Sequence, residues 1–96
     1  MEPDFQKLTV GIAGLGLMGG SFAKAYSAAG HEVLAWNRSK DILEMAMMNG
    51  VISGELNKET IGRCDLVIIA LYPQTTIDYL KEMAPYISKH TVVIDT

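Results

Sequence analysis

Three glycines lie at positions 14, 16 and 19 of the run Gly14-Leu15-Gly16-Leu17-Met18-Gly19-Gly20-Ser21. That spacing suits a turn that brings backbone against a phosphate. Gly14 permits the tight turn. Gly16 keeps a side chain out of the space where backbone meets the anion, and Gly19 lets a following helix pack close to the preceding strand. The helix then presents free N–H groups and the positive end of its dipole to a pyrophosphate. The spacing alone is weakly specific. Here a β-rich run at residues 8–13 precedes it and a helical stretch follows, which is the context the chemistry requires. Residues 14–19 are therefore the candidate pyrophosphate site of a dinucleotide.

A second candidate lies about twenty residues further on. A site for NAD would place Asp or Glu there to bind the ribose hydroxyls. This chain has Asn37-Arg38-Ser39-Lys40 instead. The fork of donors on Arg38 suits the 2′-phosphate of NADP. Ser39 can donate a hydroxyl, Lys40 adds charge, and Asn37 can hydrogen-bond a ribose. The pattern predicts NADP in preference to NAD. The bland alternative is a solvated loop in which Ser39 only caps a helix.

The third group follows a later strand. Leu71, Tyr72, Pro73 and Thr76 stand where strand C-termini line a cofactor crevice. Thr75 and Thr76 also read as helix-start residues. Asp95 and Thr96 reach the same edge. Cys64 reads as a small buried hydrophobe, because no base is placed to activate it. His31 and His90 each precede a strand at the opposite edge and read as surface loop residues. Two isolated histidines give no metal site. Met45, Met47 and Met48 read as helix-packing residues. None of the 96 residues is singled out as catalytic.

The elements that must position these groups alternate. Strands are predicted at residues 8–13, 32–36, 51–52, 65–71 and 91–95. Helices are predicted at residues 17–29, 40–49 and 73–88. The inward residues expected are Met18, Phe22, Ala25, Tyr26 and Ala29 on the first helix, Ile42, Leu43, Ala46 and Met47 on the second, and Ile77, Leu80, Ala84 and Ile87 on the third. Such alternation predicts an α/β fold, a Rossmann-like doubly wound parallel sheet with strand order 3-2-1-4-5.

Composition bounds the function. Residues are 49% hydrophobic, enough for one packed domain at residues 8–96 behind a flexible leader at residues 1–7. A formal net charge of −3 argues against a general nucleic-acid binder. A single cysteine excludes an internal disulfide, the polar N-terminus is unlike a signal peptide, and no apolar run could span a bilayer. A cytoplasmic protein is expected.

With these residues in place, the chain resembles the prephenate dehydrogenase family. The resemblance rests on Gly14 to Ser21 followed by Phe22-Ala23-Lys24-Ala25, on Leu43 to Ile52 with its Asn49-Gly50-Val51-Ile52, and on residues 64–77. It implies oxidative decarboxylation of prephenate, or of arogenate, with hydride transfer to NAD(P)+ in tyrosine biosynthesis. In that family the catalytic serine and histidine lie beyond the fifth strand, and a helical second domain completes the substrate site and dimerises. The resemblance thus implies that residues 8–96 are the cofactor-binding part of a longer homodimeric enzyme, inactive by themselves. The β-hydroxyacid dehydrogenases are the nearest alternative, because Gly30-His31-Glu32-Val33 and Trp36-Asn37-Arg38-Ser39 are similar to theirs. A non-catalytic nucleotide-sensing module is the alternative of another class.

Overall fold

The computed structural model describes residues 6–96; residues 1–5 of the expected leader lie outside the described residues. The order is β1 (Thr9–Ala13), α1 (Leu17–Ala28), β2 (Glu32–Trp36), α2 (Lys40–Met48), β3 (Gly54–Glu55), β4 (Leu66–Ile69), α3 (Pro73–Met83) and β5 (Val92–Asp95), with short 3-10 turns at Ile61–Arg63 and Ala84–Tyr86. All strand pairs are parallel and the sheet order is β3-β2-β1-β4-β5. The fold is the predicted Rossmann-like α/β sheet.

Alternation along the strands builds two cores, one on each face. Val10 and Ile12 of β1, Val33 and Ala35 of β2 and Ile68 of β4 pack with Ala23 of α1 and Leu43 of α2. Ala13, Leu34, Val67 and Ile69 point the other way, onto Tyr79 and Met83 of α3 and onto Leu56, Ile61 and Cys64. Cys64 is fully buried, as its sequence context predicts.

Helix faces depart from the apolar counts. On α1 the buried stripe is Gly19 and Ala23, with Phe22 and Tyr26 at its flanks, while Ala25 and Ala29 are exposed. The small Gly19–Ala23 pair sets the approach, because only small residues let the helix sit that close to β1. On α2 only Leu43 is buried. Met45 is 62% and Met48 85% exposed, and Ile42 and Met47 are also exposed. The expectation that these methionines pack inward is therefore corrected: a nine-residue helix over the short β2–β3 end meets the sheet along one row only. On α3 the inward residues are Thr76, Tyr79 and Met83 with Leu80 alongside, whereas Ile77 and Ala84 are exposed. The Tyr79 ring reaches Trp36, centroids 5.3 Å apart. That aromatic contact outweighs the aliphatic stripe. The helix stops at Met83 rather than Ser88, because Pro85 has no N–H to continue the ladder.

The third strand lies later than predicted, at Gly54–Glu55 instead of residues 51–52. Helix α2 ends in a Schellman motif at Gly50, whose φ is 73°. Gly50 N–H donates to Met47 O and Val51 N–H to Ala46 O, and Ile52 N–H also turns back to Ala46 O. Those amides are thus committed to the helix end. Sheet pairing resumes only at Ser53, whose N–H donates to Val33 O at 2.7 Å.

Burial disfavours the Cys64 thiolate and pushes the thiol up to about 11; Arg63 opposes this, and Glu32 and Asp65 add to it. A raised native value means that the contribution is complete below the unfolded thiol value of 9.0 and is lost as pH rises through 11. Urea unfolding of the wild type is expected to lose about 2 kcal/mol more over that interval than Cys64→Ala. Parallel pH profiles for the two proteins would contradict this.

Candidate functional site

The exits of β1, β2 and β4 converge on one cleft of about 440 Å³, lined by Gly14, Gly16, Leu17, Met18, Gly19, Trp36, Asn37, Arg38, Ala70, Leu71, Tyr72, Thr75 and Thr96. Lateral bonds hold its floor: Gly14 N–H donates to Trp36 O at 2.7 Å and Ala70 N–H to Ala13 O at 2.8 Å. Gly14 turns with φ 100°, and a Cβ there would stand 2.4 Å from Ala70 O. A Cβ on Gly19 would stand 1.8 Å from Gly14 O, so helix and turn are in backbone contact. A Cβ on Gly16 would meet nothing within 4 Å. Gly16 lines both the cleft and the groove between α1 and α2.

The N-terminus of α1 carries no side-chain cap and no acidic residue in its first turn. Its leading N–H groups and positive dipole end are therefore left for an anion. Helix α2 contrasts with it: Ser39 Oγ accepts from Ile42 N–H at 3.5 Å, and Asp41 lies in its first turn. The residues present thus fit a pyrophosphate at α1 and not at α2.

The other predicted site residues divide. Arg38 lines the cleft, exposed, and among the described residues no side chain pairs with its guanidinium. Lys40 instead pairs with Glu55 at 3.0 Å and stands outside the cleft lining. Ser39 caps α2 and is also outside that lining. Asn37 lines the cleft, where its Oδ1 accepts from Leu15 N–H at 3.0 Å and its Nδ2 donates to Ser39 O at 3.2 Å. Leu15 itself flanks the neighbouring α1–α2 groove. Leu71 and Tyr72 line the cleft; Pro73 does not, being the first residue of α3. Thr76 is buried, with its hydroxyl donating to Leu71 O at 3.3 Å, whereas Thr75 faces the cleft.

Trp36, Ala70, Thr75 and Thr96 line the cleft without having been singled out as cofactor-binding residues. Thr96 joins the far wall, its hydroxyl donating to Ile69 O at 2.8 Å. Trp36, read as the end of a strand and as part of the Trp36–Ser39 resemblance, forms part of the lining. At the opposite edge His31 Nδ1 accepts from Leu8 N–H at 3.0 Å, so this ring braces the sheet end rather than sitting idle in a loop. His90 is exposed there, 3.8 Å from Asp65. Among the described residues no group of three or more His, Cys, Asp or Glu is placed to hold a metal, and no helix is long and apolar enough to cross a membrane.

Residues 9–96 match the family described as the NAD binding domain of 6-phosphogluconate dehydrogenase. Among curated proteins, the human cytokine-like nuclear factor N-PAC is 26% identical over 98 residues, covering 91% of this chain and 18% of its own length. The uncharacterized oxidoreductase YkwC of Bacillus subtilis is 35% identical over 68 residues, covering 70% of this chain and 24% of its own length. The chain therefore spans less than a quarter of the length of these relatives. Among solved structures, Synechocystis arogenate dehydrogenase superposes with a TM-score of 0.86 at 21% identity, over 93% of this chain and 32% of that one. Prephenate dehydrogenase from A. aeolicus, in complex with hydroxyphenyl propionate and NAD+, gives 0.81 at 24% over 96% and 34%. Mycobacterium tuberculosis 3-hydroxyisobutyrate dehydrogenase gives 0.83 at 21% over 94% and 31%. At these identities the structural likeness establishes the fold.

Proposed function

Because the chain belongs to the family of the NAD binding domain of 6-phosphogluconate dehydrogenase, we propose that it is the cofactor-binding unit of an NADP-dependent dehydrogenase. One observation carries the choice of NADP: the uncapped N-terminus of α1 and the Arg38 guanidinium, unpaired among the described residues, line a single cleft. The first suits a pyrophosphate and the second a 2′-phosphate. When bound, the cofactor supplies hydride acceptance and donation at its nicotinamide ring. The chain's own residues bind and orient. Leading amides of α1 hold negative charge, Arg38 selects the phosphorylated ribose, and Trp36, Leu71 and Tyr72 give apolar walls.

Two substrate classes remain in play, each with its own support. A hydroxy acid is favoured by the family match and by Asn37-Arg38-Ser39, two of which line the cleft. Prephenate or arogenate is favoured by the likeness to the two solved dehydrogenases that act in that chemistry by name. The sequence features that set prephenate apart lie outside the cleft. Ser21 Oγ donates to Leu17 O on the outer side of α1, and Asn49, Gly50 and Val51 close α2. They support kinship and carry no substrate contact. For this reason the hydroxy-acid reading leads.

Trp36 is the sole tryptophan and lines the cleft, so its fluorescence reports binding. NADP+ is expected to change it saturably and NAD+ only at higher concentration. No saturable response to either, with no heat in calorimetry, would sink the cofactor reading. Turnover by the parent protein of 6-phosphogluconate, 3-hydroxyisobutyrate or prephenate with NADP+ then separates the substrate classes. Tight cofactor binding with no turnover of any acid would favour a nucleotide-sensing role.

A further inference from the structure

The cleft's two phosphate-directed loops are joined by one side chain. Asn37 accepts a hydrogen bond from Leu15 N–H in the glycine turn (3.0 Å) and donates one to Ser39 O in the turn that carries Arg38 (3.2 Å). Both partners are backbone groups of fixed polarity, a donor at Leu15 and an acceptor at Ser39. They dictate which end of the amide faces which loop. Only a side chain with a donor and an acceptor at that separation can serve both. Aspartate could accept from Leu15 but could not donate to Ser39. Alanine could do neither. The Leu15 amide is also removed from the set available to an anion, which leaves that work to the residues at the start of α1.

Resting on the NADP reading above, we infer that Asn37 is a positioning residue, fixing the pyrophosphate turn and the 2′-phosphate turn at one separation. A ligand with two phosphate arms gains affinity only when both receiving sites are held at the matching distance. Asn37 adds a side-chain tie between the turns to the backbone bond from Gly14 N–H to Trp36 O. Its position directly after β2 is where an NAD site would carry its acidic residue, so one position serves either to read ribose hydroxyls or to tie the loops together.

The test uses wild type, Asn37→Ala and Asn37→Asp, titrated calorimetrically with adenosine 5′-diphosphate, adenosine 2′-monophosphate and adenosine 2′,5′-bisphosphate. Hydrogen exchange at the Leu15 amide is followed by NMR in the unliganded proteins. Asn37→Ala is expected to weaken each single-arm ligand by about fivefold and the bisphosphate by about twentyfold or more, with faster Leu15 exchange. Asn37→Asp keeps the Leu15 bond. It is expected to retain Leu15 protection and 5′-diphosphate affinity within about twofold, while losing about fivefold or more on the 2′-phosphorylated ligands. Wild-type affinities in Asn37→Ala, or equal losses on all three ligands with Leu15 exchange unchanged, would overturn the positioning role. Failure of the wild type to bind any of the three would instead overturn the cofactor reading, and this inference with it.

Discussion

Gly19→Ala is expected to lose the fold's cofactor face, whereas Gly16→Ala keeps the fold and loses the cofactor. The two glycines are three residues apart but answer to different neighbours. A methyl on Gly19 would meet the Gly14 carbonyl oxygen at 1.8 Å and its carbon at 2.9 Å. Both are backbone atoms, and neither can swing aside. Helix α1 would have to lift from β1, opening the Val10–Ile12–Ala23 packing beneath it. Overpacking against rigid backbone lies at the severe end of such changes, about 3 kcal/mol or more. That is a large share of the stability of a domain this size. Gly16 has ordinary helix-start geometry, φ −69°, and its added methyl would stand in open space. Its stability is expected to stay within about 1 kcal/mol of wild type, the scale of a helix-cap change. Binding of NADP+ is expected to fall about tenfold or more, because the methyl occupies the approach of the phosphate to backbone N–H groups. Urea unfolding paired with Trp36 fluorescence titration separates the two effects. A Gly16→Ala protein with native affinity would place the pyrophosphate elsewhere.

Arg38→Ala is expected to weaken NADP+ by about 10- to 150-fold while leaving NAD+ within about twofold. The range corresponds to losing a charge-assisted contact of about 1.5–3 kcal/mol. Arg38 is the cleft's own cation: it lines the cavity without a partner among the described residues, while Lys40 is held by Glu55. Lys40→Ala is accordingly expected to cost only a few-fold, on the scale of an exposed pair. Arg38→Lys should recover only part of the affinity, since a point charge lacks the guanidinium's paired donors. The preference for NADP+ should also shrink as ionic strength rises, because both phosphate and guanidinium are open to solvent. Equal losses for the two cofactors in Arg38→Ala would remove Arg38 from the 2′-phosphate.

Much of this was legible from residue order. The glycine spacing and the β-rich runs are local signals. They led to the parallel sheet and its 3-2-1-4-5 order. What eluded sequence reading depends on rotation of a helix about its axis and on hydrogen bonds between distant segments. The inward face of α3 follows from Tyr79 meeting Trp36, 43 positions apart in number and adjacent in space. The start of β3 follows from where the α2 cap releases its amides. At the site, residue type pointed to Arg38 but could not separate it from Lys40, because the Glu55 that holds Lys40 is fifteen residues away. Asn37 was noticed as a possible ribose partner. That its amide also bonds Leu15 and Ser39 is visible only in three dimensions.

The close approach of the β1 and β4 exits, where Ala70 N–H donates to Ala13 O, has a kinetic consequence. The β1 and β4 exits touch, and the same row of lateral bonds runs on through Trp36 and Thr96. These bonds tie the exits of β1, β2, β4 and β5 to one another. Cofactor association at this surface should therefore follow a single exponential whose rate rises linearly with concentration, set by encounter and not by a prior opening. Any gating seen in a catalytic cycle would have to originate in elements outside this sheet edge.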